Sequence, residues 1–226
     1  MLSLLRDYMA NKIFDKCLQH LQYQEYKKAS DVLSSRKWLP RYASYYFLYS
    51  STENQLKNHY GALDIVNNGI QKFPQTGYLY NQKAYVLYDL GDFTEALKYS
   101  KTALQYLPDD AEILNNIGYY LTKTKKYTES IRYFNEAITR EPSFSFPYDN
   151  RGFAKLNLGD TEGALSDINY SLELDAGNSY AYKNRAKVML KLGKTGDALQ
   201  DLKTALSLGY SDDFDDEVES MLKTYS

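Results

Sequence analysis

Covalent and metal chemistry have little to work with in these 226 residues. Cys17 is the one cysteine, and His20 and His59 are the two histidines, so an internal disulfide and a thiolate metal cage are excluded and a general base has few candidates. Cys17 and His20 stand one helical turn apart, a spacing that permits contact. Buried packing is the stronger expectation for the thiol, because free cysteine is among the most buried residue types. Paired carboxylates such as Asp109 and Asp110 fall where a helix would begin, and N-capping explains them without chemistry. The sequence carries no glycine-rich phosphate loop, no G-x-S-x-G, no H-E-x-x-H and no paired cysteine spacing. A protein that is not an enzyme, with no cofactor and no metal, is therefore expected.

What does recur is amide chemistry. Gln82, Asn116, Asn150 and Asn184 follow one another at a step of 34 residues. A carboxamide offers both an acceptor and donors, so a row of them can pair with both backbone groups of an extended peptide. The same column could instead order the protein's own helices. Aromatic residues flank it: Tyr78, Tyr85 and Tyr88, then Tyr119, then Phe146 and Phe153, then Tyr180. They belong to a sequence with 24 tyrosines and one tryptophan. Tyrosine gives a large contact area at low entropic cost and is enriched at binding surfaces. Lys183 and Lys187 add positive charge beside Asn184, which would favour an acidic stretch of ligand.

The elements that must position these side chains repeat at the same step. Pro74, Pro108 and Pro142 are each 34 residues apart. Small residues form three columns: Ala84, Gly118, Gly152, Ala186; Ala62, Ala96, Ser130, Ala164, Ala198; and Gly69, Ala103, Ala137, Ser171, Ala205. Large residues open each unit at Tyr46, Tyr80, Leu114, Tyr148 and Tyr182. Gly91, Gly159 and Gly193 mark the midpoint, with Lys125 the exception. Apolar spacings of three and four within each unit predict two amphipathic helices. The central glycine ends the first helix, and proline closes the second because it cannot continue one. Small residues on facing helices let the two backbones approach closely.

A 34-residue helix-turn-helix unit with these columns resembles the tetratricopeptide-repeat (TPR) family. The stretch from Gly77 to Asp110, GYLYNQKAYVLYDLGDFTEALKYSKTALQYLPDD, matches its pattern closely. The resemblance implies an all-α fold, a right-handed α-α superhelix (TPR solenoid) of about five to six repeats with a C-terminal capping helix, forming a single array over 1–226. Repeat units are expected at 43–76, 77–110, 111–144, 145–178 and 179–210, with a degenerate repeat or helical cap over 1–42. Over 211–226 a capping helix is expected, its apolar stripe being Phe214, Val218, Met221 and Leu222 and its first turn carrying Asp212, Asp213, Asp215 and Asp216. In such a stack the first helices line the concave side, and the amide and aromatic columns point into that groove. Some members of the family clamp the C-terminal carboxylate of heat-shock chaperones. That clamp needs a lysine where this sequence pairs Asn81 with Tyr85 and Asn115 with Tyr119, so a different ligand is expected.

The function implied is a non-enzymatic scaffold that binds a peptide or protein segment in the groove. Two alternatives are a dedicated inhibitor or chaperone masking one partner, and a self-assembling structural protein with oppositely charged ends. The second rests on a net +4 over residues 1–42 against −5 over residues 207–226. The whole chain carries −2, without the basic excess that phosphate binding needs, so no nucleic-acid partner is expected. The start, MLSLLRDYMANK, lacks a signal peptide's apolar run, and no stretch approaches the about 20 apolar residues of a membrane span. A cytoplasmic monomer or weak homo-oligomer, with no membrane insertion, is expected.

Overall fold

A computed structural model describes residues 2–36, 39–210 and 217–225. All regular structure among them is helical. The helices are α1 (Leu2–Gln22), α2 (Tyr26–Ser34), α3 (Ala43–Gln55), α4 (His59–Lys72), α5 (Gly77–Asp89), α6 (Phe93–Tyr106), α7 (Ala111–Lys123), α8 (Tyr127–Arg140), α9 (Phe146–Asn157), α10 (Thr161–Leu174), α11 (Ser179–Lys191), α12 (Thr195–Ser207) and α13 (Glu217–Tyr225), with one 3-10 turn at Leu39–Arg41. The chain divides into two compact units, Met1–Pro108 and Asp109–Ser226.

Each unit is a set of helical hairpins. In the first, α1, α3 and α5 are neighbours, with α2 packed on α3 and α4 on α5. In the second, α7, α9 and α11 are neighbours, with α8 packed on α9 and α10 on α11, and α13 follows against α12. The three columns of small residues lie at the crossings. Ala84, Ala186, Ala62, Ala96, Ser130, Ala164, Ala198, Ala103, Ala137, Ser171 and Ala205 are all fully buried. The approach is close enough to exclude a single methyl group. A Cβ on Gly118 would stand 2.5 Å from the Phe134 ring, and one on Gly152 would stand 2.6 Å from Ile168 Cγ1 and 2.9 Å from the Ala164 carbonyl oxygen.

Helix ends follow local chemistry. Asp92, Asp110, Asp160 and Asn178 accept from the backbone N–H three residues on, at 2.9–3.2 Å, so Asp110 is a cap as expected. The turn inside each hairpin needs a left-handed residue. Gly91, Gly159 and Gly193 supply it, and Lys57 (φ 62°) and Lys125 (φ 60°) adopt it at the same step without glycine's freedom.

At the amino end, Ala10, Phe14, Cys17, Leu33, Leu39 and Leu48 form one core. Cys17 is fully buried there, and burial pushes its thiol up to about 11. That makes it a packing residue with no thiolate to react. His20 is engaged elsewhere, its Nδ1 2.7 Å from Glu25 Oε2. At the carboxyl end, Val218 is buried against Ala198, Leu202, Ala205 and Tyr210, with Met221 and Leu222 packed alongside. Phe214 and the acidic group Asp212, Asp213, Asp215 and Asp216 lie outside the described residues.

Two substitutions test this account of the crossings and turns. Gly152→Val should cost about 1–3 kcal/mol or more by overpacking. The control Gly196→Ala, where an added methyl meets nothing within 4 Å, should be neutral or gain up to about 1 kcal/mol in helix propensity. Equal melting temperatures for the pair would contradict the packing. Lys125→Gly relieves a left-handed penalty of about 1–2 kcal/mol against a glycine entropy cost of up to about 1 kcal/mol. Thermal melting should rise by on the order of 2 °C, and a fall would show that the turn is unstrained.

Candidate functional site

In the second unit, side-chain bonds run from each first helix to the next. Asn150 Nδ2 on α9 donates to Asn115 Oδ1 on α7 at 3.0 Å, and Asn184 Nδ2 on α11 donates to Asp149 Oδ2 on α9 at 3.0 Å. Both span 35 residues, the repeat step plus one. A third bond at the same separation runs from Lys191 Nζ to the Leu156 carbonyl at 3.3 Å. The first unit has its own version, Asn54 to Asp89 between α3 and α5.

A second recurring device ties α9 and α11 each to the two flanking second helices. Arg151 grips Asp167 of α10 with two hydrogen bonds, at 2.7 and 2.8 Å, and reaches back to Asn135 of α8 at 2.7 Å. Arg185 repeats the arrangement one unit later with Asp201 of α12 at 2.7 and 2.8 Å and Asn169 of α10 at 3.2 Å. Both aspartates are buried. Bidentate pairing to a planar guanidinium is the geometry that makes such burial tolerable.

Asp149 is held by amide donors instead. It is fully buried and accepts from Asn178 Nδ2 at 3.0 Å as well as from Asn184. Burial pushes its carboxyl up to about 7, while the two amide donors and the charge of Lys183 hold it from rising further. Asn184 Oδ1 is buried with no hydrogen-bond partner among the described residues.

These bonds give members of the amide column partners within the protein. Gln82, Asn116 and Asn184 are buried and Asn150 is half-buried. Gln82 donates to Ser50 Oγ at 3.4 Å, and Asn150 and Asn184 bond to the preceding first helix. The physical reason is reach. The short Asn side chain ends against a polar side chain of the neighbouring helix, where leaving it unpaired would cost about 1–3 kcal/mol. Asn115 is likewise buried, and Asn81, half-buried, has its Oδ1 enclosed.

Aromatic and lysine side chains of the same first helices are half-buried or exposed beside these amides. In the first unit Tyr78 meets Phe47 edge-on at 5.5 Å, Tyr88 lies 5.6 Å from Phe93, and Tyr85 is half-buried on the same helix. In the second unit Phe153 on α9 stands at the centre. Tyr127 approaches it edge-on at 6.3 Å, and Lys187 and Lys183 of α11 place their ammonium groups 4.9 and 5.9 Å from its ring centre. Lys183 also lies 5.4 Å from the Tyr210 ring, which meets Tyr180 at 5.1 Å. Tyr119 is half-buried on α7, with Lys123 5.2 Å from its ring. Phe146 is exposed at the start of α9, 5.8 Å from Phe144. Asp149, Arg151 and Arg185 were not among the residues expected at this face. The arginines were legible in principle, since Arg151 and Arg185, and Asp167 and Asp201, are each 34 apart.

Hairpins joined by close crossings and by repeating side-chain bonds define an α-helical repeat protein whose distinctive surface lies on the first helices. Residues 81–145 match the tetratricopeptide-repeat family, and the chain has the fold of tetratricopeptide-repeat proteins. It is similar to a chain of the APC/C hetero-tetramer Cut9-Hcn1, with a TM-score of 0.80 and 17% identity over 96% of this chain and 42% of that one. It therefore spans under half the length of that chain. It is also similar to TTC0263, a thermophilic TPR protein of Thermus thermophilus (TM-score 0.68, 16% identity, 81% of this chain and 98% of the other). A third likeness is to PilW, a type IV pilus biogenesis factor (TM-score 0.67, 21% identity, 80% and 86%). Comparison with curated proteins finds no match. No helix among the described residues is long and apolar enough to cross a membrane.

The Asp149 carboxyl sets a pH dependence. Its ordinary value is 3.8 and its folded value about 7. A raised acid pKa contributes stability that is fully present below the lower value and is lost as pH rises through the higher one. Melting temperature should therefore decline between about pH 4 and 7 through this group. Asp149→Asn, which places there the residue found at Asn115, should flatten that slope whatever it does to the absolute value. An unchanged slope would remove Asp149 from the account.

Proposed function

We propose that this chain is a non-enzymatic interaction module that holds a segment of a partner protein on its first-helix face, in the second unit over α7, α9 and α11. The observation that supports this most directly is the division of labour among the repeat columns. Polar residues of the first helices, Asn115, Asn150, Asp149 and Asn184, are used to lock one first helix to the next. The neighbouring positions Tyr119, Phe153, Lys183 and Lys187 remain accessible on that fixed frame. Aromatic residues with adjacent cations supply contact area at low entropic cost, because the two lysines are already gathered at the Phe153 ring. The rigid frame reduces the ordering that binding would otherwise require. A cytoplasmic location belongs to the same proposal, and cell fractionation checks it.

Affinity capture with the intact chain tests the function. Tyr119→Ala/Phe153→Ala, confirmed folded by circular dichroism, should lose about 10-fold or more of the partner recovered by the wild type, as expected for central aromatic anchors. Asn157→Ala serves as a control, because the Asn157 side chain is spent on the Phe153 carbonyl of its own helix at 2.8 Å. Recovery of the same partners at the same yield by the double variant would refute binding on this face.

A further inference from the structure

The charges of the second unit are sorted by layer. Its first helices, α7, α9 and α11, carry seven Lys and Arg against two Asp and Glu, one of the two being the buried Asp149. Its second helices, α8, α10 and α12, carry three Lys and Arg against seven Asp and Glu. The whole unit is acidic, with fourteen Lys and Arg against twenty Asp and Glu over 109–226, so the positive layer is not an overflow of general basicity. The pairs formed by Arg151 and Lys155 with Asp167 and by Arg185 with Asp201 bind the layers together. Three lysines of the positive layer lie on one helix, α11.

Lys183, Lys187 and Lys191 follow one another at four-residue intervals along α11, one above the other on a single stripe. The stripe faces α9, since Lys183 and Lys187 lie at the Phe153 ring and Lys191 reaches the Leu156 carbonyl. Like charges at this spacing repel one another. A polyanion laid along the seam would reverse that penalty.

Resting on the function proposed above, the geometry points to an acidic segment of the partner, in extended conformation, with carboxylates on alternate residues along the α9–α11 seam. Four residues of helix advance about 6 Å, and alternate side chains of an extended chain lie on one face at about 6.6–6.8 Å. A run of Asp or Glu at every second position therefore matches the lysine row, and the intervening side chains turn outward. An aromatic or aliphatic residue at the end of the run would meet Phe153.

The test uses the full chain and fluorescent peptides of about ten residues, long enough to overrun one lysine row. The peptides are alternating Glu-Ser, the same composition with the glutamates in one block, and alternating Lys-Ser. The alternating acidic peptide should bind more tightly than the other two, and weaken as salt shortens the about 8 Å screening length of physiological buffer. Lys187→Glu/Lys191→Glu should weaken it about 10-fold or more, the uncharged Lys187→Gln/Lys191→Gln by less, and Lys203→Glu on the second-helix layer hardly at all. Both double variants leave Lys183 beside Asp149, and circular dichroism confirms their fold. Equal binding of the alternating and Lys-Ser peptides, or of wild type and charge-reversed protein, overturns the inference. Equal binding of the blocked peptide overturns the extended alternating register. Displacement by oligo-dT of equal charge at lower concentration overturns it in favour of nucleic acid. If captured partner is lost with Tyr119→Ala/Phe153→Ala but retained by Lys187→Glu/Lys191→Glu, the binding function stands and the acidic segment falls.

Discussion

The side-chain bond from one first helix to the next is the constraint on which the second unit's surface depends. Asn115 to Asn150 and Asp149 to Asn184 have the same length and the same 35-residue separation, so each first helix is held in one rotational phase relative to the last. Apolar packing alone is tolerant. A crossing built from alanine and glycine can slide or turn at little cost, because small side chains interdigitate weakly. A buried amide cannot turn without abandoning its partner, and an orphaned polar group costs about 1–3 kcal/mol. Phase is what brings Lys183 and Lys187 to the ring of Phe153, which sits one turn beyond Asp149 and Asn150 on α9.

The arginine clamps extend the same logic across the hairpin. Arg151 and Arg185 each bind an aspartate sixteen residues ahead and an asparagine sixteen residues behind. Each of these first helices is thereby fixed against both second helices that touch it. Close backbone approach sets the distance between helices, at Gly118 against Phe134 and Gly152 against Ile168. The polar bonds set the angle about their axes. Neither device could replace the other, because one acts through excluded volume and the other through direction.

Much of the fold was legible because a helical repeat writes its packing as columns. The small residues at the crossings, the turns inside the hairpins and the capping residue Asp110 all follow from a step of 34. The expected exception at Lys125 is no exception in conformation, because backbone geometry is fixed by the flanking helices and the lysine accepts the left-handed turn. The role of the amides was less legible. A column gives the phase of a side chain around its helix but not the partner it meets, and Asn150 and Asn184 reach a neighbouring helix at a shift of one residue from their own step. Asp149 was illegible for a related reason. Its column runs Asn81, Asn115, Asp149, Lys183, so its chemistry changes along the array and leaves no periodic mark.

That changing column connects the core to the face. Asn115 and Asp149 accept bonds from the following helix. At the next repeat the position becomes Lys183, which sends its charge toward Asp149, Phe153 and Tyr210 instead. Thirty-five residues on from Lys183 stands Val218 of α13, buried and apolar, so no amide follows there to bond it. Lys183 serves two ends. It moderates the buried carboxyl one helix away, and it begins the stripe that Lys187 and Lys191 continue. A position that holds the next repeat elsewhere in the unit is turned here to the face.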